Sequence, residues 1–440
     1  MSKPRQIVLS TFGSFGDIHP YMALAIELQA RGHHPIIATS ELYREKIETA
    51  GLKLHPVRPN LPPPQDQDPE LIKRIMNPRS GPRVLMDEII LASLRDSYAD
   101  LVEVARDADL LITHPAAPAG HLVARKTQIP WISTVLAPAS FLSAYDPPVP
   151  PFWSWFNHLQ LFGPHLIGLF LTLAKQSYRP QVLFRLRDEL GLGHYGHPVF
   201  EGQHSPNLVL ALFSKLFAAA QPDWPRHTRI TGFAFYDGHR ELEMPAELSK
   251  FLDEGEPPIV FTLGSSAVWV ARDFFHESIA AARQLKRRAV LLVGDERNLP
   301  VEPLPSEIIA VNYAPYQSLL PRACAMVHHG GVGTTAQGLR AGVPTLIVPF
   351  AFDQPDNAAH AKRMGTSRTL NRKDYLAPRV AKEMDVLLGE SQYAANATCI
   401  STQLQNENGA ANACDLIEEF IGRTLVNKTE DHEHAYASGY

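Results

Sequence analysis

Two glycine turns carry the residue types that could do chemistry. In the richer one, Ala325-Met326-Val327 reads as a short buried strand, His328-His329-Gly330-Gly331-Val332-Gly333 as a tight turn, and Thr334-Thr335-Ala336-Gln337-Gly338-Leu339 as the opening of a helix. Glycines ahead of a helix N-terminus let the backbone approach an anion, and the free N–H groups and positive dipole end favour negative charge, so a phosphate or diphosphate is the natural guest. Taken alone, the same glycines also suit a plain strand-to-helix turn. The context shifts the balance: after a C-cap signal at Ala341-Gly342-Val343-Pro344, a strand over 345–349 leads to a polar loop with Asp353, Gln354, Asp356 and Asn357. Parallel strands open on one side, so this loop stands beside the glycine turn, where carboxylates and amides can hold sugar hydroxyls.

The other turn, Thr11-Phe12-Gly13-Ser14-Phe15-Gly16-Asp17, follows a strand over 6–10 and precedes a helix expected over 20–30 and a strand over 35–39. That is a βαβ start with its turn where a ligand binds. Gly13 and Gly16 are spaced GxxG, which is not the dinucleotide fingerprint.

Further strands follow at 109–113, ending at His114, and at 130–135, 207–212 and 229–232. A polar stretch, 236–258, contains the linker. A second doubly wound unit begins with the strand 259–263 and the loop Gly264-Ser265-Ser266, continues with strands at 289–293 and 308–311, and then reaches Asn312-Tyr313-Ala314-Pro315-Tyr316. The expected fold is α/β, with two Rossmann-like parallel-sheet domains facing each other across a cleft. The division is an acceptor domain 1–236, a linker 237–258, a donor domain 259–409, a helix 410–426 and a polar, disordered tail 427–440.

The pattern His329-x-Gly331 with Thr334-Thr335, Gln337, Gly342-Val343-Pro344, Asp353-Gln354 and Asn357 resembles the nucleotide-sugar signature of family 1 glycosyltransferases of the GT-B fold. The doubled histidines, glycines and threonines resemble the bacterial antibiotic and sterol branch. The resemblance implies that Asp17 stands where members carry the catalytic base and His19 where others have Asn, Glu or Gln. His114 lies near where plant-type members place the Asp that orients a catalytic His, so it is a candidate partner of Asp17. It implies donor contacts from Ser14, Gly16, Gly264, Ser265, Ser266, His329, Gly331, Val332, Gly333, Thr334, Gln337, Asp353 and Gln354. Tyr313 would stack on a pyrimidine while backbone at Ala314 and Tyr316 reads its edge. The last helix would pack back on the first domain.

An acceptor hydroxyl must lose its proton as it attacks the anomeric carbon, so a base must sit beside it. A carboxylate with an ordinary pKa near 3.9 is a weak base, and burial or a neighbour must raise it. The bland alternative for Asp17 and His19 is a place at the helix start, with Asp17 as its cap. Departing charge can be met by helix-end dipoles, backbone donors and a histidine, so neither a metal nor another cofactor is expected, and no aspartate pair resembles a metal-holding DxD motif.

Segment 147–173 is unusually apolar, with Phe152, Trp153 and Phe156 ahead of a helix expected over 159–173. It reads either as the wall of an apolar acceptor cleft, to which Phe15 would also belong, extending to a membrane surface, or as ordinary core; Pro164 and its polar residues argue against a membrane span. The chain of 440 residues is 45% hydrophobic and 20% charged, which suits two soluble domains. A net charge of −5 gives no basic excess for nucleic acid. No apolar leader follows Met1, and Cys324, Cys399 and Cys414 have no metal-ligand spacing, so buried, reduced cysteines in a cytoplasmic protein are expected.

The resemblance implies an inverting glycosyltransferase moving a sugar, glucose from UDP-glucose in the first instance, to a hydroxyl of a sterol, polyphenol or macrolide-like acceptor. The rivals are a nucleotide-sugar 2-epimerase of the same fold, a catalytically idle nucleotide-sugar binding protein, and an NAD-dependent oxidoreductase, which the missing GxGxxG disfavours. Oligomeric state is left open.

Overall fold

In the computed structural model, residues 3–150, 163–238, 243–299 and 303–437 are described, with side chains as far as Arg423. Short runs of β-branched and aliphatic residues build two parallel sheets. The first contains β1 (Gln6–Ser10), β2 (His34–Thr39), β3 (Lys53–Pro56), β4 (Leu110–Thr113), β5 (Trp131–Val135), β6 (Val209–Ala211) and β7 (Thr228–Ile230), in the order β3-β2-β1-β4-β5-β6-β7. The second contains β8 (Ile259–Thr262), β9 (Ala289–Leu292), β10 (Ile308–Val311), β11 (Ala325–His328), β12 (Thr345–Ile347) and β13 (Ser367–Thr369), in the order β10-β9-β8-β11-β12-β13. Ile7, Val8 and Leu9, like Val260 and Phe261, are fully buried because helices cover both sheet faces. Strand order reverses between β1 and β4 in one sheet and between β8 and β11 in the other. At such switch points the loops beyond the strands' carboxyl ends diverge and leave a crevice for a ligand.

Several boundaries differ from the sequence reading. The first helix is Phe15–Ala30, five residues earlier than expected, because Ser14 and Asp17 form a capping box ahead of the internal Pro20. The expected linker contains the helix Ala246–Asp253, whose Leu248 and Leu252 join the second lobe's core. The last helix, Gly409–Ala437, runs through the stretch expected to be disordered, since no glycine or proline interrupts 423–437. Of the helix expected over 159–173, the first four residues lie outside the described ones; the described helix is Gly163–Ser177, and it leaves Leu166, Leu169 and Leu173 exposed. Of the cysteines only Cys414 is buried; Cys324 is intermediate and Cys399 exposed. Among the described residues no helix is long and apolar enough to cross a membrane.

Among the described residues, three of the contacts that join the lobes flank the cleft. Ala413, Cys414 and Ile417 of the last helix share a core with Leu24 and Leu28, and Arg31 binds Asp415 and Glu418 at 2.6 and 2.8 Å. Ala336 and Leu339, on the helix Val332–Ala341, pack into the first lobe's Phe141, Phe213, Phe217 and Trp224. The helix Gln354–Arg363 is clasped to the loops after β5 and β6: the Val149 N–H donates to Asp356 Oδ1 at 3.0 Å, Arg363 meets Asp146 at 3.2 Å, and the His360 ring nitrogen Nδ1 lies 2.9 Å from the Phe217 carbonyl.

Candidate active site

Asp17 lies at the third position of the first helix, just past the end of β1. Its Oδ2 accepts the Ser14 N–H at 2.8 Å and the Ser14 hydroxyl at 3.3 Å, while the Gly16 N–H donates to Ser14 Oγ at 3.2 Å. The capping role and a chemical role therefore coexist: Oδ2 holds the turn and Oδ1 is left over. Gly13 makes this possible, since at its φ of +141° a Cβ would stand 2.1 Å from Asp17 Oδ2. The Tyr43 hydroxyl donates to the Gly13 carbonyl at 2.6 Å and fixes the turn from the far side. About a third of the Asp17 side chain, 34%, remains accessible. Burial, reinforced by the charge of Asp353 across the cleft and opposed by the Ser14 bonds, pushes its carboxyl up to about 7.

His114 follows β4 and so occupies the other side of the first switch point. Its Nε2 is 4.0 Å from Asp17 Oδ1, beyond a direct hydrogen bond, and its Nδ1 is 3.4 Å from Thr11 Oγ1. Burial pushes the ring down to about 4, so it is neutral at pH 7 and the two groups make no ion pair. His19 is not brought to Asp17. Two residues apart on a helix point in different directions, and the His19 ring stacks on Phe15 at 5.2 Å and tilts against Tyr236 at 5.0 Å. Its Nε2 is buried without a partner, and burial, with the nearby Lys46 charge, pushes it down to about 3. Phe15 goes with it, toward Tyr43 and away from β4. Phe152, Trp153 and Phe156 lie outside the described residues.

Across the cleft the glycine turn after β11 forms as the sequence suggests, but the helix begins at Val332, two residues earlier than expected. Its N-cap is Gly331, with no side-chain hydrogen bond to the first turn, and Gly333 faces open space, so the amides of Val332, Gly333 and Thr334 are left to an incoming anion. The His329 ring fills the space between two glycines: a Cβ at Gly264 would lie 2.5 Å from its Cε1, and one at Gly331 2.5 Å from its Nε2. Burial pushes His329 down to about 4, and its Nδ1 has no partner. It can serve an anion as a neutral N–H donor, not as the cation that a protonated imidazole supplies.

Asp353 ends the polar loop. Its Oδ2 accepts Asn357 Nδ2 at 2.9 Å, and the same amide donates to the Gly330 carbonyl at 2.9 Å, tying the loop after β12 to the glycine turn. The sequence suggests Asn357 only as one of the loop's polar groups for sugar hydroxyls; its tie to Asp353 and Gly330 is a finding of the structure, signalled by its i, i+4 spacing from Asp353 on one helix face. Burial pushes Asp353 up to about 6. Gln354 does less than expected, because its side-chain oxygen accepts the Phe350 and Ala351 N–H groups at 2.8 and 3.0 Å. In the loop after β10 Tyr313 is 56% exposed and its ring is available for stacking, whereas Ala314 is core and the Tyr316 hydroxyl is engaged with Thr262 at 2.9 Å. Ser265 and Ser266 are half-buried beyond β8, where the Ser265 carbonyl accepts from Trp269 Nε1, and Gln337 is half-buried on the helix Val332–Ala341.

This geometry can be set beside known proteins. Residues 7–139 match the glycosyltransferase family 28 N-terminal domain, and residues 277–418 match the erythromycin biosynthesis protein CIII-like C-terminal domain. The chain is 31% identical over 438 residues to the O-mycaminosyltylonolide 6-deoxyallosyltransferase of Streptomyces fradiae, covering 94% of this chain and 97% of that protein. It is 28% identical over 453 residues to a sterol 3-beta-glucosyltransferase of Leptosphaeria maculans, covering 97% of this chain but only 30% of that much longer protein. The fold is that of the crystallised glycotransferase of kitacinnamycin (TM-score 0.71, 20% identity, 96% of this chain and 100% of that one) and of glycosyltransferase VinC in complex with DTDP (TM-score 0.67, 20% identity, 95% and 100%). A carboxylate facing an uncapped glycine-turn helix, on two parallel-sheet lobes, thus occurs in a chain that belongs to the GT-B glycosyltransferases, in their antibiotic and sterol branch, and is a nucleotide-sugar-dependent glycosyltransferase.

Proposed function

We propose that the protein inverts the anomeric centre while moving a hexosyl group from a nucleoside diphosphate to a hydroxyl of an apolar small molecule. The observation that carries this reading is the partly accessible Asp17 carboxylate, held through Oδ2 by Ser14 with Oδ1 left over, opposite a glycine-turn helix whose first amides have no side-chain cap; partial burial and the charge of Asp353 push that carboxyl up to about 7. A group of that basicity is half deprotonated at neutral pH and can take the acceptor's proton on Oδ1 as the oxygen attacks, while Oδ2 stays on Ser14. The C–O bond to the diphosphate breaks as the new glycosidic bond forms. The leaving charge falls on the free amides of 332–334, with His329 as a neutral donor. Asp353, steadied by Asn357, accepts from sugar hydroxyls. No step requires a metal. Neutral His114 helps keep Asp17's surroundings dry rather than pairing with it.

For the donor we retain UDP-glucose as the first expectation. The sterol relatives carry glucosyl in their names, while the DTDP bound to VinC makes thymidine diphosphate sugars the second. The apolar exposed face of Gly163–Ser177 supports an apolar acceptor such as a sterol, polyphenol or macrolide, delivered from solution or a membrane surface. The transferases among its relatives favour transfer over 2-epimerisation. The test is a panel of UDP- and dTDP-sugars scored by protection against melting, then sterols, flavonoids and macrolides with the best donor. A glycoside of inverted configuration is expected; protection by NAD and by no nucleotide sugar would defeat the reading.

A further inference from the structure

Lys46 is a half-buried lysine whose ammonium has no carboxylate partner among the described residues. It lies on the short helix Arg44–Thr49, three residues after Tyr43, the residue that holds the Gly13 carbonyl. Its neighbour Arg44 is satisfied by Glu41 and Glu48. The Lys46 ammonium instead stands 5.1 Å from the Phe15 ring centre and 5.5 Å from that of Tyr236. Rings hold a cation weakly compared with a counter-ion, so a half-desolvated ammonium in this setting leaves an anion-shaped opportunity.

Tyr236 comes from the linker and is pinned to the second lobe on both sides. Arg340, near the end of the helix Val332–Ala341, lies 4.5 Å over the Phe235 ring and binds both carboxylate oxygens of Asp237 at 2.6 and 2.9 Å. Between these anchors the Tyr236 ring turns to His19. Phe15, His19, Lys46 and Tyr236 therefore form one wall of the cleft, on the β2 side of Asp17.

The sheets say what that wall faces. Segments beyond β5 meet the helix Gln354–Arg363, which follows β12. The wall beyond β2, on the opposite side of β1, must then lie toward β9 and β10, where Tyr313 presents its exposed ring; the Tyr313 phenol is pushed up by burial and by neighbouring Tyr236. A donor with its sugar at Asp353 and its diphosphate on the amides of 332–334 extends its nucleoside toward this wall.

We propose that Lys46 and Tyr236 are donor-binding residues supplied by the first lobe and the linker, the Lys46 ammonium meeting a phosphate oxygen and the Tyr236 ring covering the nucleoside opposite Tyr313. The proposal rests on the donor reading above and adds that the nucleotide is gripped from both lobes. It also moves Phe15 from the acceptor wall to the nucleotide wall.

UDP and dTDP are titrated by calorimetry into the full chain at low and high salt, for the wild type, Lys46→Gln, Lys46→Arg, Tyr236→Ala and Tyr236→Leu, with melting curves for each. Lys46→Gln should weaken the preferred nucleotide about tenfold or more and flatten its salt dependence, Lys46→Arg should recover most of the affinity, and both Tyr236 variants should weaken binding while melting as folded proteins. The Tyr236→Leu variant decides the point if Tyr236→Ala fails to fold. Wild-type affinity and salt dependence in Lys46→Gln, or wild-type affinity in Tyr236→Leu, would overturn the proposal and leave the donor reading standing. If the wild type binds neither nucleotide, the donor reading falls and the proposal falls with it.

Discussion

At the scale of single residues, the account turns on how a short carboxylate becomes a useful base. Removal from water raises Asp17 and the nearby Asp353 adds to it, while the Ser14 bonds restrain the rise. Two consequences have opposite signs. Transfer, measured as kcat/KM, should climb with pH and level off above an apparent pKa near 7, because the deprotonated form is the active one. Stability should run the other way for this group: its folded pKa is raised, so its contribution is complete below pH ~4, the ordinary carboxylate value, and is lost as pH rises toward 7. Buried histidines pushed down to about 3 or 4, such as His19, His114 and His329, add their own pH dependence below the ordinary histidine value, so the quantity to compare is the urea midpoint of Asp17→Asn minus that of the wild type. That difference should grow more positive from pH 5 to pH 8, and a flat difference would mean Asp17 is not buried in the way described. Asp17 was legible in the sequence through its glycine turn and the resemblance. Its pKa was not, because the desolvation comes from segments far away in the chain. His19 misled for a simple reason: it sits beside Asp17 in sequence, but two helical steps rotate it to the other wall.

At the scale of elements, the second-lobe cradle depends on one asparagine. Asn357 Nδ2 serves both the Gly330 carbonyl and Asp353, so the glycine turn after β11 and the start of the helix Gln354–Arg363 are held as a unit. Replacing it with alanine leaves a buried carbonyl and a carboxylate without their donor, at a cost of about 1–3 kcal/mol. The Asn357→Ala variant should show a lower melting temperature and a donor KM raised about tenfold or more, with acceptor KM little changed. The strand-turn-helix order here could be read directly, since glycine, C-cap and periodicity signals agreed. The helix start could not be placed to the residue, because Val332 has no capping side chain before it; Gly331 serves as the cap.

At the scale of the whole molecule, the two lobes form one working surface through helices rather than through the linker alone. The sequence announced two doubly wound units and a returning last helix, but it gave no sign that Val332–Ala341 and Gln354–Arg363 are packed on the first lobe as well. Those contacts pair residues 207 and 143 positions apart, Val149 with Asp356 and Phe217 with His360, and local pattern cannot anticipate them. The clasp joins the helix that begins beside Asp353 to the loop after β5. Asp356→Ala removes the acceptor for the Val149 N–H and should loosen the lobes. Small-angle scattering should report a larger radius of gyration, and steady-state kinetics a raised KM for both substrates with a smaller fall in kcat. An unchanged scattering profile together with unchanged KM values would show that the clasp does not set the closed cleft.

The central claim, a carboxylate base on one lobe facing an anion cradle on the other, is tested most directly in single-turnover transfer by Asp17→Asn with the preferred donor and acceptor. Asparagine can still accept from Ser14, so the turn should hold and donor affinity should stay within about twofold of the wild type, while the transfer step slows by about a hundredfold to ten-thousandfold. Transfer at the wild-type rate, with the donor bound as tightly as before, would contradict the account.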